Sequence, residues 1–286
     1  MYKIYSFEYN SKRHYLIPTM HIDYSLLDNN LIEFIKQIID GVDTCFFEVD
    51  GNKAIEQSNK IKKPKITMET TFEKVYSEKD INKIKAIIKK LFNIDIPVSH
   101  IKKQLIMRSL NPMQIISSYN KNQTLTDIET KQKYFDIFIQ NILANKKKTF
   151  QLDNTKEMTK QYTPKYYEDI TNLLIATPLD VSKIEKVLKD QIKLMTTLIA
   201  KFKNDNAFNI RTDISKEMNL RAENRNIEWI NKIFNYLDKN PTKNIAIIVG
   251  CAHIFGVDEK NKKTGNTLPN LLSKQKNVTN VNYSTL

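Results

Sequence analysis

One local pattern occurs twice in this sequence and constrains its fold more than any other feature. Near the N-terminus, the apolar run 15–17 leads into Pro18-Thr19-Met20-His21. Near the C-terminus, the apolar run 245–249 leads into Gly250-Cys251-Ala252-His253. In a parallel α/β sheet, the turns after the strands gather at the carboxyl edge, where ligands bind. The repetition therefore predicts that His21 and His253 share one site.

Hydrophobic periodicity around these turns predicts an α/β fold. The predicted strands are 1–8, 13–17, 44–49, 148–152, 245–249 and 278–283. The predicted helices are 26–39, 77–91, 133–143, 180–202 and 213–237. The first two strands form a hairpin, and the strand–turn–helix–strand succession that follows implies a parallel crossover.

No linker rich in Ser, Gly or Pro interrupts the chain, so we expect a single domain over residues 1–286. Its centre is predicted to be a mixed sheet built from two similar strand–turn–His–helix–strand halves. Helices flank this sheet, and a long helical insertion is expected at about 55–145.

Charge and cysteine content narrow the classes of partner and compartment. Lys and Arg number 45 against 32 Asp and Glu, a net charge of +13, which suits nucleic acid, acidic lipid or an acidic protein. The excess is mostly lysine scattered along helices, so we expect no specific nucleic-acid partner. No stretch reaches the ~18 apolar residues of a membrane span, no signal peptide is visible, and Cys45 and Cys251 suit a reduced protein. We expect a cytoplasmic protein, while export without a cleaved signal and the oligomeric state stay open.

A carboxylate stands at the end of the strand that follows the first His turn. Glu48 lies in Phe46-Phe47-Glu48-Val49, where burial without a partner would be costly. Alone it would be interpreted as a strand-end charge in solvent. Beside the two His turns it gains a functional interpretation, because two imidazoles and a carboxylate can hold a metal with open positions. The same groups can act as an acid–base set without metal, and the sequence leaves both open.

A late helix carries two polar residues on its apolar side. Arg225 and Asn226 interrupt the stripe formed by Ala222, Trp229, Ile230, Ile233 and Leu237, by the three- and four-residue spacing of a helix. Burying these groups without partners would be unfavourable. Either they pair with the backbone or a core acid, or they reach the same sheet edge to bind a substrate carbonyl or to orient Glu48.

The two remaining histidines fit structural roles. His14 lies in the lead-in strand and is expected to face solvent. His100 follows Pro97, away from every motif, and is expected at a surface or core position.

Four motifs in this order resemble a known family. They are Thr19-Met20-His21, the Phe-Phe-Glu-Val-Asp run 46–50, the run 225–230 that begins Arg-Asn, and the run 250–256 that begins Gly-Cys-Ala-His. Together they resemble the TraB/PrgY/GumN family, relatives of the TIKI proteases, within a clan that includes erythromycin esterase and the haem-binding ChaN proteins. The resemblance covers roughly residues 13–50 and 215–283, with a weaker match at 150–155.

The sequence departs from the family pattern at three positions. Pro18 stands where the first motif usually has Gly, so that turn cannot use a positive φ or donate a backbone N–H. Ala252 replaces the inner Gly of the second His motif. The added methyl group leaves less room for another group to come close to the backbone there. Asp153 replaces the usual Glu and shortens that carboxylate by one methylene.

The resemblance implies a metal-dependent, peptidase-like hydrolase that cleaves an amide bond in a peptide or protein. Carried over by position, His21, Glu48 and His253 would bind a divalent metal such as Mn, Co or Zn, with Glu48 also catalytic. Arg225 and Asn226 would orient the substrate or stabilise the transition state, and the substrate would be lined by Thr19, Asp153, Gly250 and Cys251. The alternative is a non-catalytic binding protein that sequesters a peptide signal or haem in the same cleft.

Overall fold

The structure is a computed structural model, and it describes the following parts of the chain. These are residues 2–20, 24, 27–49, 75–93, 95, 97–98, 135–143, 148–153, 165, 169, 172, 175–176, 178, 180–204, 216–256 and 265–285. The chain divides into two compact units, the first comprising residues 1–54, 132–155 and 198–286 and the second 55–131 and 156–197. The single domain with an insertion at about 55–145 stays a prediction, because 50–74 and 99–134 lie outside the described residues.

The described strands of the first unit form a six-stranded mixed sheet, as the sequence predicted. They are β1 (Lys3–Tyr9), β2 (Lys12–Thr19), β3 (Thr44–Phe47), β4 (Lys148–Gln151), β5 (Ile245–Gly250) and β6 (Thr279–Thr285). Their spatial order is β4-β3-β5-β2-β1-β6. The neighbours β4, β3, β5 and β2 are parallel, and β1 is antiparallel to both β2 and β6. The carboxyl ends of four adjacent strands therefore meet at one edge.

Side-chain burial explains the places of these strands. All four residues of β3 and the first five of β5 are buried, as expected for parallel strands covered on both faces. Most residues of β6 are exposed, which suits a polar strand at the end of a sheet. The hairpin between β1 and β2 turns at Asn10 and Ser11, whose φ values of 52° and 57° match the two-residue turns that hairpins favour.

The described helices follow the predicted periodicity. They are α1 (Asn29–Gly41), α2 (Glu78–Phe92), α3 (Phe135–Leu143), α4 (Ile184–Asn204), α5 (Lys216–Lys239), α6 (Cys251–Phe255) and α7 (Leu268–Leu272). In the second unit, α2 begins with the predicted cap, where Ser77 and Asp80 form a reciprocal capping box that satisfies the first backbone N–H groups. Among the described helices, none is long and apolar enough to cross a membrane.

Helix α5 belongs to the same core as the sheet. Its residues Trp229, Ile233 and Leu237 are almost fully buried within the hydrophobic cluster that includes β3 and β5. Near its end, the hydroxyl of Tyr9 donates to Asp238 Oδ1 at 2.6 Å. Burial of one apolar stripe therefore fixes the rotation of α5, and with it the direction of the polar residues on that stripe.

The expectation that His14 faces solvent is wrong. His14 is 1% exposed, and its Nδ1 accepts a hydrogen bond from the N–H of Ile245 at 3.2 Å. Its Nε2 donates to the carbonyl of Tyr9 at 3.3 Å, and its ring lies 4.9 Å from that of Phe7. The imidazole thus satisfies a backbone group where β5 begins. Burial lowers the pKa of His14, against the opposing effect of the Tyr9 carbonyl.

Candidate functional site

The carboxyl edge of the parallel strands holds a cluster of polar side chains. Glu48 directly follows β3, Asp153 lies two residues beyond β4, and His253 is the third residue of α6, which begins where β5 ends. The ladder between β3 and β4 continues past both strands, because the N–H of Asp153 donates to the carbonyl of Glu48 at 3.0 Å. The sheet itself therefore brings the two carboxylates together.

Arg225 of α5 lies between these two carboxylates. Its Nε donates to Asp153 Oδ1 at 3.1 Å, and its Nη2 contacts Asp153 Oδ2 and donates to Glu48 Oε1 at 2.5 Å. The side chain of Asp153 is 7% exposed, whereas those of Glu48 and Arg225 are 28% and 33% exposed. Burial opposes the charge of Arg225, but Glu48 and then Asp153 outweigh it and raise the pKa of the guanidinium. Arg225 therefore pairs with a core acid and also reaches Glu48 at the sheet edge, while its predicted role toward a substrate stays a prediction.

Asn226 holds His253 in one orientation. The amide nitrogen of Asn226 donates to the carbonyls of His253 at 3.3 Å and Asn266 at 2.8 Å. Its oxygen therefore faces the ring and accepts from His253 Nδ1 at 2.7 Å. This arrangement assigns the proton to Nδ1 and the lone pair to Nε2. The carbonyl of Asn266 is a partner that no sequence signal indicated.

The lone pair of His253 is directed at the charged cluster. Nε2 lies 3.8 Å from Glu48 Oε1 and 3.5 Å from Arg225 Nη1. Burial is the main cause that lowers the pKa of His253 to about 4; Arg225 acts in the same direction, whereas Glu48 and Asp153 oppose it. The imidazole is therefore neutral near pH 7 and presents an unprotonated nitrogen beside a carboxylate.

Trp229 takes part in the cluster, whereas the sequence placed it only in the apolar stripe. Its Nε1 donates to Asp153 Oδ1 at 2.8 Å. Its ring centroid lies 4.4 Å from that of His253 and 4.8 Å from the guanidinium carbon of Arg225. Its position four residues after Arg225 on a helix was the signal that these two side chains lie together.

The structure places three further predicted residues at the end of β5 and β2. The N–H of Gly250 donates to Glu48 Oε2 at 3.4 Å. Cys251 is buried, which raises the pKa of its thiol to about 12, so the thiol stays protonated. Thr19 is 4% exposed and lies opposite Gly250 in the register. His21 and His100 lie outside the described residues.

The donor chemistry fits a divalent metal ion only in part. His253 Nε2 and the carboxylate of Glu48 are donor types that such ions accept. The guanidinium of Arg225, however, contacts both groups and would repel a dication. Within the described ranges, no group of three or more His, Cys, Asp and Glu side chains is arranged to hold a metal. The predicted third donor, His21, falls outside them, so the metal site stays a prediction.

Fold and site together define an α/β protein with a charged cluster at the carboxyl edge of its parallel strands. The chain belongs to the TraB/PrgY/gumN family, whose family model matches residues 4–270. That range contains every polar side chain of the cluster. No curated protein and no solved structure matches the chain.

Proposed function

We propose that this protein is a hydrolase that cleaves amide bonds in peptides at the cluster of Glu48, Arg225 and His253. Family membership does not by itself assign an activity. The observation that carries the proposal is the neutral imidazole nitrogen of His253, 3.8 Å from a carboxylate oxygen of Glu48 and beside a guanidinium. A proton acceptor for the attacking water and a fixed positive charge for the carbonyl oxygen both promote water attack on a carbonyl.

The two carboxylates suit different tasks because their environments differ. The side chain of Glu48 is 28% exposed, so it can meet water and a substrate. The side chain of Asp153 is 7% exposed and is bound by Arg225 and Trp229. Glu48 is therefore the group proposed to accept a proton from the attacking water and to return it to the leaving amine. Asp153 is the group that holds Arg225.

The cation and the imidazole complete the proposed chemistry. Arg225 keeps its charge, and one third of its side chain is exposed, so it can stabilise negative charge that develops on a carbonyl oxygen. Asn226 keeps the lone pair of His253 on Nε2, toward the same point. The site is thus organised before any substrate binds, which lowers the cost of reorganisation during the reaction.

A divalent ion is the proposed cofactor, with His21, Glu48 and His253 as its ligands. Mn, Co and Zn are the candidates. A bound ion would polarise the scissile carbonyl and lower the pKa of a water molecule. The neutral state of His253 suits ligation, because a metal-binding imidazole must be unprotonated.

Peptide cleavage with defined metals tests this proposal. The purified protein is stripped of metal and its metal content is measured. A peptide mixture is then added with Mn, Co or Zn, and the products are weighed by mass spectrometry. We expect fragments from the parent and about 100-fold slower cleavage by Glu48→Gln, the loss typical of a general base. Glu228→Gln is the control, because Glu228 is exposed on the same helix and should cleave like the parent.

The other outcomes overturn the proposal. Equal cleavage by the parent and Glu48→Gln would remove Glu48 from the mechanism. Intact peptide that stays bound to the protein would favour capture without cleavage. A Soret band on haem titration, with no fragments, would favour haem binding. His253→Gln is a second variant that keeps the test valid should Glu48→Gln fold poorly.

A further inference from the structure

The only tryptophan of the chain stands directly behind the proposed active site. Trp229 is fully buried, yet it contacts three groups of the cluster. Its indole N–H bonds to Asp153, and its ring lies against Arg225 and His253. A buried indole N–H needs an acceptor, but a backbone carbonyl would serve equally well. Here the acceptor is the carboxylate that holds Arg225.

The hydrogen bond from Trp229 restricts the orientation of Asp153. Asp153 Oδ1 accepts from Trp229 Nε1 at 2.8 Å and from Arg225 Nε at 3.1 Å, while Oδ2 accepts from Arg225 Nη2. Three donors fix the plane of this carboxylate. The guanidinium pairs with it through two nitrogens, so fixing the carboxylate fixes the direction of Arg225 as well.

The orientation of Arg225 decides what it can contact. With Nε and Nη2 bound to Asp153, the outer side of the guanidinium faces Glu48 at 2.5 Å and His253 at 3.5 Å. A rotation of Asp153 would move Arg225 away from both groups. The ring of Trp229, 4.8 Å from the guanidinium carbon, adds a cation–π contact that favours the same position.

We infer that Trp229 is a positioning residue that aligns Arg225 through Asp153. This inference rests on the proposed hydrolase activity for its functional meaning. The series of contacts from Trp229 through Asp153 to Arg225 can be tested without an activity assay. Trp229 is fully buried and acts on the reaction only through the cluster residues it contacts, so its removal should change how fast bound substrate reacts rather than how well it binds.

Replacing Trp229 by benzothienylalanine tests the inference with little change in packing. This analogue has sulfur in place of the indole N–H. Because the chain has a single tryptophan, the analogue is incorporated at position 229 alone. Trp229→Phe is the second variant. The exchange of the Arg225 Nε–H is followed by NMR in ¹⁵N-labelled protein. The chain has five arginines, Arg13, Arg108, Arg211, Arg221 and Arg225. The Nε–H signal that disappears in Arg225→Lys is that of Arg225.

We expect the Arg225 Nε–H to exchange with solvent about tenfold faster in the analogue protein, because one charge-assisted hydrogen bond behind it is lost. Asp153→Asn should accelerate this exchange at least as much, because it also weakens the direct acceptor of the Arg225 Nε–H. Adding the analogue to Asp153→Asn should give no further increase, since Trp229 acts on Arg225 through Asp153. In peptide hydrolysis, kcat should fall about tenfold with KM unchanged. Glu228→Gln should change neither the exchange rate of the Arg225 Nε–H nor kcat.

An unchanged exchange rate of the Arg225 Nε–H in a folded analogue protein overturns the inference. So does a further increase in that rate when the analogue is added to Asp153→Asn. A fall in affinity with kcat unchanged overturns it as well. Absence of hydrolysis in the parent refutes the proposed function alone, because the exchange measurement still decides whether Trp229 aligns Arg225.

Discussion

Asp153 is the most deeply buried charge of the cluster, and its pairing sets the stability of the site. Its side chain is 7% exposed and depends on Arg225 for charge compensation. Glu48, at 28% exposure, can be hydrated and depends on Arg225 far less. A buried ion pair contributes little net stability, but removal of one partner is costly because the other charge stays buried.

Removing the cation should therefore destabilise the first unit strongly. Arg225→Met should lower the free energy of unfolding by about 3 kcal/mol, because Asp153 is left as an uncompensated buried charge. The double variant Arg225→Met with Asp153→Asn should recover much of this loss. Urea unfolding followed by Trp229 fluorescence measures both. Equal losses in the single and double variants would show that Asp153 does not depend on Arg225 for compensation.

Two glycines bracket the short helix α6, and they serve different purposes at the scale of the element. Gly250 caps α6 with a φ of −53°, which any residue can adopt, and a Cβ there would lie 3.5 Å from Glu48 Oε2 and 3.8 Å from His253 Cδ2. Gly256 ends α6 with φ 77° and ψ 175°, a region that is essentially restricted to glycine. A methyl group would therefore fit at the first glycine, whereas the second allows the backbone to leave the helix.

Alanine substitutions should separate these two roles. Gly256→Ala should cost about 1–3 kcal/mol, because the side chain is forced into a strained backbone region. Gly250→Ala makes only ordinary van der Waals contacts and should change stability by less than about 0.5 kcal/mol. Thermal and urea unfolding of both variants provide the comparison. A larger loss for Gly250→Ala than for Gly256→Ala would contradict this assignment.

The predictable part of the molecule is the part fixed by short-range patterns. Alternation and apolar runs predicted every described strand, and the carboxyl-edge rule predicted that Glu48 and His253 would lie together. The 3.6-residue period placed Arg225 and Asn226 on the buried side of α5. These conclusions needed no knowledge of side-chain partners.

Long-range partners limited the rest of the prediction. His14 was misplaced because its burial depends on Ile245, 231 residues away, and nothing within its own strand indicates that bond. The contacts of Asp153 with Arg225 and Trp229 of α5 are also long-range and had no signal within its own strand, while its predicted place beside a substrate stays a prediction. The turn that carries His21 lies outside the described residues, so the shared site of the two histidines stays a prediction.

At the scale of the whole molecule, buried neutral histidines make stability depend on pH. The pKa values of His14 and His253 are lowered in the folded protein, that of His253 to about 4. Between the unfolded value of about 6.5 and the lowered folded value, the unfolded chain binds the extra proton and the folded one does not. The contribution of these two histidines should therefore be constant above about pH 7.5, and stability should fall as pH drops to 5.5, by up to about 1.4 kcal/mol per pH unit for each histidine.

A substitution that keeps the hydrogen bonds of His14 but cannot titrate should remove part of this slope. In His14→Gln, the side-chain oxygen can accept from Ile245 and the amide can donate to Tyr9, so the fold is kept. Its unfolding free energy, followed by Trp229 fluorescence at pH 7.5, 6.5 and 5.5, should fall less than that of the parent. Among the described histidines, His253 accounts for the slope that remains. Lys12→Gln, at the exposed start of β2, is the control and should retain the full slope, because it leaves both buried histidines in place. A His14→Gln slope equal to that of the parent would mean that His14 titrates alike in the folded and unfolded chains, against its burial between β1 and β5.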